Sequence, residues 1–199
     1  MKKLLKIFFS ILLFLQITTI AKSEESYVFG GIKLFNYGVE TSDLQAINTS
    51  LVNLGFSSST SSTDNSGVGF DFGIGINLSD EFAVEAGFVD YGTLEITTNT
   101  TGPTENIKTE IDGNGFTGAA VLRFGEKDDH LFVKGGFHAW EFEGKVTASL
   151  GTSSEPLGKG TDLYMAIGYV SDMFYGSYDY YAIEDGSIGS LTFGIRSEF

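Results

Sequence analysis

Residues 67–78 read GVGFDFGIGINL, and the two parities of this stretch differ in kind. Val68, Phe70, Phe72, Ile74, Ile76 and Leu78 form one row, while Gly69, Asp71, Gly73, Gly75 and Asn77 form the other. Side chains on a strand alternate between its faces, so one face is wholly apolar and the opposite face small, polar and charged. A strand buried in a soluble core rarely sets an ion and a run of small residues against so strict an apolar row. In a membrane barrel the assignment is natural: the apolar row meets lipid and the polar row lines the interior.

The last ten residues, SLTFGIRSEF, repeat the pattern. Leu191, Phe193, Ile195 and Phe199 share one parity, and Thr192, Gly194, Arg196 and Glu198 the other. A soluble lipocalin-type barrel would need the reverse polarity, an apolar lumen under a polar exterior.

At the other end, Lys2, Lys3 and Lys6 precede a largely apolar run to Ile20, and Ala21-Lys22-Ser23 places small residues at the two cleavage positions. This predicts a cleaved export signal over residues 1–23 and a barrel domain over 24–199. Four of the 12 basic residues and none of the 26 acids lie in the signal, leaving 8 against 26 and a formal charge of −18. Such a chain disfavours nucleic acid. It has no cysteine, hence no disulfide framework or thiol site. No later stretch approaches the roughly 18 apolar residues of a spanning helix, so entry into a membrane requires a closed barrel.

Twenty-six glycines, 18 phenylalanines and 9 tyrosines suit strands and tight turns. Eight segments carry the strand pattern: 27–37, 67–78, 82–97, 109–124, 131–146, 161–170, 174–183 and 190–199. The connections alternate in length. Long polar stretches at 38–66, 98–108 and 147–160 are read as external loops, and 79–81, 125–130 and 171–173 as short turns on the side of the termini. Residues 43–54 suit a short amphipathic helix within the first loop, and the serine and threonine tract 57–63 reads as a mobile part of it. The fold class is therefore all-β, an eight-stranded antiparallel up-and-down transmembrane barrel.

Together with the terminal Phe199, these strands and the hairpin FGIGINLSDEFAVEAGFVDYG (72–92) resemble the small outer-membrane barrels of the OmpA transmembrane-domain and OmpX type. The resemblance covers most of the chain after residue 23, and it carries patterns rather than chemical signatures. It implies residence in the outer membrane of a Gram-negative bacterium, contact with lipid and lipopolysaccharide, and delivery by the barrel-assembly machinery with Phe199 as the C-terminal signal. It further implies a monomer whose external loops can meet a surface ligand. The peptidoglycan-binding domain of full-length OmpA relatives has no counterpart among these residues, so no wall-tethering role is carried over.

Parity also predicts what the interior holds. Lys33, Asp71, Glu85, Arg123, Lys134, Asp179, Arg196 and Glu198 fall on the inward face, with His138 and Tyr164 in register nearby. Each charge facing lipid near the midplane would cost about 2–4 kcal/mol, whereas four cations and four anions facing one another can pair. The interior of eight strands is just wide enough for side chains to fill, so these groups are expected to plug the lumen rather than line a pore. Aromatics near strand ends (Tyr27, Phe35, Tyr37, Phe82, Phe88, Tyr91, Trp140, Phe142, Tyr169, Phe174, Tyr178 and Tyr180) read as two interfacial girdles.

Catalysis finds little support. His130 lies in the acidic turn GEKDDHL and reads as solvated, and His138, in KGGFHAWEFEG, is not set beside a recognisable nucleophile. No enzyme activity, cofactor or metal site is expected. The expected role is structural and surface-interacting, and the alternative is a narrow channel or transporter for small or hydrophobic solutes.

Overall fold

In the computed structural model, the alternation of 67–78 becomes the second strand of a closed ring. The structure describes residues 26–102, 105–184 and 186–199, so the expected export signal lies outside the described residues. The ring is built from β1 (Ser26–Asn36), β3 (Ser66–Asn77), β4 (Phe82–Thr101), β5 (Glu105–Glu126), β6 (Asp129–Ala148), β7 (Gly151–Ser171), β8 (Phe174–Ile183) and β9 (Gly186–Glu198). Each strand pairs antiparallel with the next, and β9 returns to β1 from Tyr27↔Glu198 to Asn36↔Gly189, which closes the barrel. The eight-stranded expectation holds. A helix α1 (Thr41–Asn53) and a short strand β2 (Ser58–Thr63) lie between β1 and β3.

The exterior is apolar where lipid would be. On β3, Val68, Phe70, Phe72 and Ile74 are exposed, as are Phe116, Leu122 and Phe124 on β5, Leu131, Val133 and Phe137 on β6, and Leu191, Phe193 and Ile195 on β9. So large and continuous an apolar surface on a monomer would be untenable in water. On the four long strands the belt ends in one registered polar row, Asp90↔Asn114↔Glu141↔Lys159.

Beyond that row the structure departs from the expected loops. Strands β4 to β7 run 20, 22, 20 and 21 residues, against 10 to 13 for the other ring strands. About 9–11 residues span a bilayer, so the upper half of these four strands stands clear of it as a sheet. Segments 98–108 and 147–160, read as loops, are mostly strand. Their residues are polar, but threonine and isoleucine favour a pleated backbone, and Leu94, Ile96, Thr98 and Thr100 bury one face while Glu95, Thr97 and Asn99 meet solvent on the other.

A bulge between Asp90 and Thr93 resets the parity of β4 so that both Tyr91 and Leu94 turn inward. Gly92 occupies it with φ +70, its N–H donating to Asp90 Oδ1 at 2.8 Å. The serine tract expected to be mobile is instead β2, pairing with β4 from Thr63↔Ile96 to Ser58↔Thr101. Helix α1 covers it: Ser59 and Ser61 hydroxyls both donate to Asn48 Oδ1 at 2.9 Å, and Leu44, Ile47 and Leu51 are half-buried on the same helix face.

Inside, β1 supplies rings and β3 supplies space. Tyr27 faces Gly75 and Phe29 faces Gly73 in register. A Cβ at Gly75 would lie 2.0 Å from Tyr27 Cζ, and one at Gly73 2.5 Å from Phe29 Cζ, so these glycines are the floor on which the rings lie. The rings help form two apolar layers. Phe35, Val89, Tyr91, Trp140, Tyr164, Tyr181 and Ile188 fill the half nearer the tall sheet, and Tyr27, Ala83, Val121, Phe132, Val170 and Tyr175 the half nearer the short turns.

This corrects the girdle expectation. Tyr27, Phe35, Tyr91 and Trp140 are buried in the lumen, and Tyr37 and Phe142 pack against that core. Outward-facing are Phe88, Tyr169, Phe174, Tyr178 and Tyr180, with Phe88 against Phe70, Phe72 and Phe116. A narrow barrel has to fill its own bore, and that demand takes rings that the membrane interface would otherwise hold.

Candidate functional site

The interior charges occupy three levels. At mid-height, between the apolar layers, Lys33 is fully buried, with Nζ 3.0 Å from Asp179 and 3.2 Å from Asp71. It also donates to Thr192 Oγ1 at 2.7 Å. Asp179 accepts from the Tyr164, Ser177 and Thr192 hydroxyls at 2.8, 2.9 and 2.5 Å, and Asp71 from the Tyr175 hydroxyl at 3.2 Å. One ammonium thus joins four strands (β1, β3, β8 and β9), its charge shared by two carboxylates that hydroxyls further satisfy.

One level toward the termini, Glu85 accepts from Lys134 Nζ and from the Tyr27 hydroxyl, both at 2.6 Å. Lys134 Nζ also lies 4.9 Å from the Phe29 ring centre and 5.0 Å from that of Phe132.

The third level is at the turn end, where β1 begins and β9 finishes. Arg196 Nη2 donates to Glu198 at 2.7 Å, and Glu198 also pairs with Lys127 at 3.0 Å. Arg196 stacks over the Tyr27 ring at 3.8 Å, and Arg123 over the same ring at 5.2 Å.

All eight residues expected inside therefore lie in the lumen or at its mouth, but they do not form one balanced network. Arg123 is the correction. The sequence reading paired it with the carboxylates, whereas Glu85 is taken by Lys134 and Tyr27, and Arg123 Nε and Nη2 have no hydrogen-bond partner among the described residues. Parity determines the face a side chain takes. The partner follows from strand register and shear, which no single strand encodes.

Both histidines are buried, which corrects the solvated reading of His130. Its Nδ1 lies 3.2 Å from the Glu126 carbonyl and its Nε2 3.5 Å from Arg196, because β6 begins at Asp129 and already turns this residue inward. His138 accepts from the Tyr91 hydroxyl at Nδ1 and donates from Nε2 to the Ala182 carbonyl, both at 2.6 Å. With both ring nitrogens engaged and no serine or threonine hydroxyl bonded to it among the described residues, His138 braces β4, β6 and β8 together. Tyr164, expected in register with the inward charges, donates to Asp179, whereas Tyr27, expected in a girdle, shares the parity of Lys33 on β1 and satisfies Glu85, a placement the same alternation signals.

The cavity bounded by Tyr27, Glu85, Arg123, Lys134 and Arg196 measures about 20 Å³, room for one water-sized species.

No protein-family model matches the sequence, and no curated protein sequence matches it either. Solved structures do match in shape. Ail, the attachment invasion locus protein of Yersinia pestis, solved in complex with the heparin analogue sucrose octasulfate, superposes with a TM-score of 0.51 at 16% identity, covering 89% of this chain and 99% of that one. The fold is that of the small outer-membrane barrels. Neisserial surface protein A matches with a TM-score of 0.44 at 14% identity over 87% of this chain and 97% of that one. The N-terminal barrel domain of Pseudomonas aeruginosa OprF matches at 0.41 and 12% identity over 88% and 100%.

Proposed function

We propose that this chain is an integral outer-membrane protein with a closed lumen, whose work is structural and, through the tall sheet, surface recognition. The observation that carries this reading is the break in the exterior at Asp90, Asn114, Glu141 and Lys159: lipid-compatible below, polar strand for some ten residues above. A barrel needed only for mechanical support has no use for that height. Contact with lipopolysaccharide, assembly by the barrel-assembly machinery and a monomeric state accompany the proposal, as does the absence of catalysis.

Ail was solved with a sulfated heparin analogue, and surface binding is the role extended to this chain, with a different partner chemistry. The polar parts above the belt carry Glu95, Glu105, Glu110, Asp112, Glu141, Glu143 and Glu155 against Lys108, Lys145 and Lys159. That field repels polyanions and favours a neutral or basic surface. Removal of the upper hairpins (residues 95–108 and 144–155, each replaced by a two-residue turn) is expected to abolish adhesion of expressing cells to a basic protein-coated surface while leaving the barrel folded. Equal adhesion, or tight binding of sucrose octasulfate by the intact protein, overturns the surface role as stated.

The aromatic layers and paired ions inside the barrel weigh against the alternative of a narrow solute channel. Planar-bilayer recordings are expected to give no unitary conductance, and stable single-channel steps would favour the channel instead.

A further inference from the structure

We infer that the turn end of the lumen is a binding site for one small monovalent anion of chloride size. The cavity of about 20 Å³ is lined by three cationic side chains, Arg123, Lys134 and Arg196, against one carboxylate, Glu85, which Lys134 and Tyr27 already occupy. His130 completes the polar lining.

Arg123 and Arg196 are each nine-tenths buried. Three of their N–H-bearing nitrogens, Arg123 Nε and Nη2 and Arg196 Nε, have no acceptor among the described residues. A guanidinium cannot shed its proton to escape this, and leaving one buried without a counter-charge is strongly destabilising. The Tyr27 ring, which both guanidiniums approach, offsets part of that cost but carries no counter-charge, and Glu198 serves Arg196 and Lys127 from the rim rather than Arg123.

Water would satisfy the N–H groups and leave the charge. A halide in the cavity would supply an acceptor to these nitrogens and cancel one positive charge, and room for one water-sized species is too little for phosphate or sulfate. The site is independent of the surface role proposed above, since it lies at the opposite end of the barrel from the tall sheet.

Two measurements on the detergent-solubilised protein decide the matter. In the first, the temperature at which the folded band is lost in heat-modifiable gel migration is followed in sodium chloride or sodium bromide and in sodium gluconate at equal ionic strength. A saturable rise of a few degrees with the halides, absent with gluconate and absent in Arg123→Met, is expected; Lys145→Met, on the distant sheet, keeps it. In the second, crystals of the wild-type protein grown in bromide are expected to give one anomalous peak within hydrogen-bond distance of the Arg123 and Arg196 guanidiniums, a result that does not depend on the variant folding.

Identical midpoints in chloride and gluconate, or no bromide peak in the cavity, overturn the proposal in favour of water. Glu25, which precedes the described residues, serves as a check: halide stabilisation seen only in Glu25→Gln would make the chain's own carboxylate the occupant and overturn it equally.

Discussion

Lys33, Glu85 and Arg123 separate two kinds of interior charge. Lys33→Met leaves Asp71 and Asp179 buried without their cation, and Glu85→Gln leaves Lys134 without its carboxylate; each is expected to cost about 3–5 kcal/mol. Arg123→Met removes a cation that no carboxylate answers, so in gluconate buffer it is expected to change stability by less than about 1 kcal/mol or to raise it. Urea midpoints of the refolded proteins in one micelle system check this, and equal losses for Glu85→Gln and Arg123→Met would contradict the pairing described. Gly75 makes a separate claim. Gly75→Val drives a side chain into the Tyr27 ring, and a loss of about 1–3 kcal/mol is expected from overpacking. A smaller ring at position 27 (Tyr27→Ala in the same chain) should recover part of it, which a loss due to backbone preference alone would not allow.

The tall sheet and its helix are elements whose stability should be separable from that of the barrel. Asn48→Ala removes the acceptor of Ser59 and Ser61 and is expected to speed proteolytic cleavage within residues 38–66, with the heat-modifiable transition unmoved; an unchanged cleavage rate would mean that α1 is held by its apolar face alone. The sheet also carries a pH response. Hydrogen bonds from Lys108 and Lys145 hold the Glu110 carboxyl below its ordinary value of 4.5. A depressed carboxyl contributes its stabilisation in full above that ordinary value and loses it as pH falls through the lowered one. Amide exchange at residues 105–112 is therefore expected to quicken on acidification below about pH 4.5 relative to the barrel strands, less so at high salt, where exposed pairs are screened. Flat protection across that window would show that the pairs hold nothing.

For the whole molecule the claim under test is that polarity is turned inside out. Single tryptophans at Phe70 and Phe72 are expected to be quenched strongly by brominated acyl chains, and a tryptophan at Thr97 or Thr147, above the polar row, by aqueous iodide instead. Reversal of that order would remove the membrane reading and the proposed function with it. Fractionation of expressing cells should place the folded, heat-modifiable form with the outer membrane. The ring closes through β1 and β9, so loss of the last strand should leave β1 and β8 with open edges and abolish the folded form altogether.

What could be read along the chain was whatever depends on period and exclusion. Two-residue alternation in 67–78 and 190–199 is local, and an ion cannot face acyl chains; together these determined the barrel, its eight ring strands and the inward set from Lys33 to Glu198. Segments 98–108 and 147–160 escaped because a strand clear of lipid is free to be polar on its outer face and so loses the contrast that marks it. Only the tertiary structure decided that Lys33 takes two carboxylates, that Glu85 goes to Lys134 and Tyr27 rather than Arg123, and that Tyr27, Phe35 and Trp140 fill the bore instead of ringing the membrane. Those choices depend on which residues strand stagger brings to one height inside a narrow cylinder, a relation among eight strands at once.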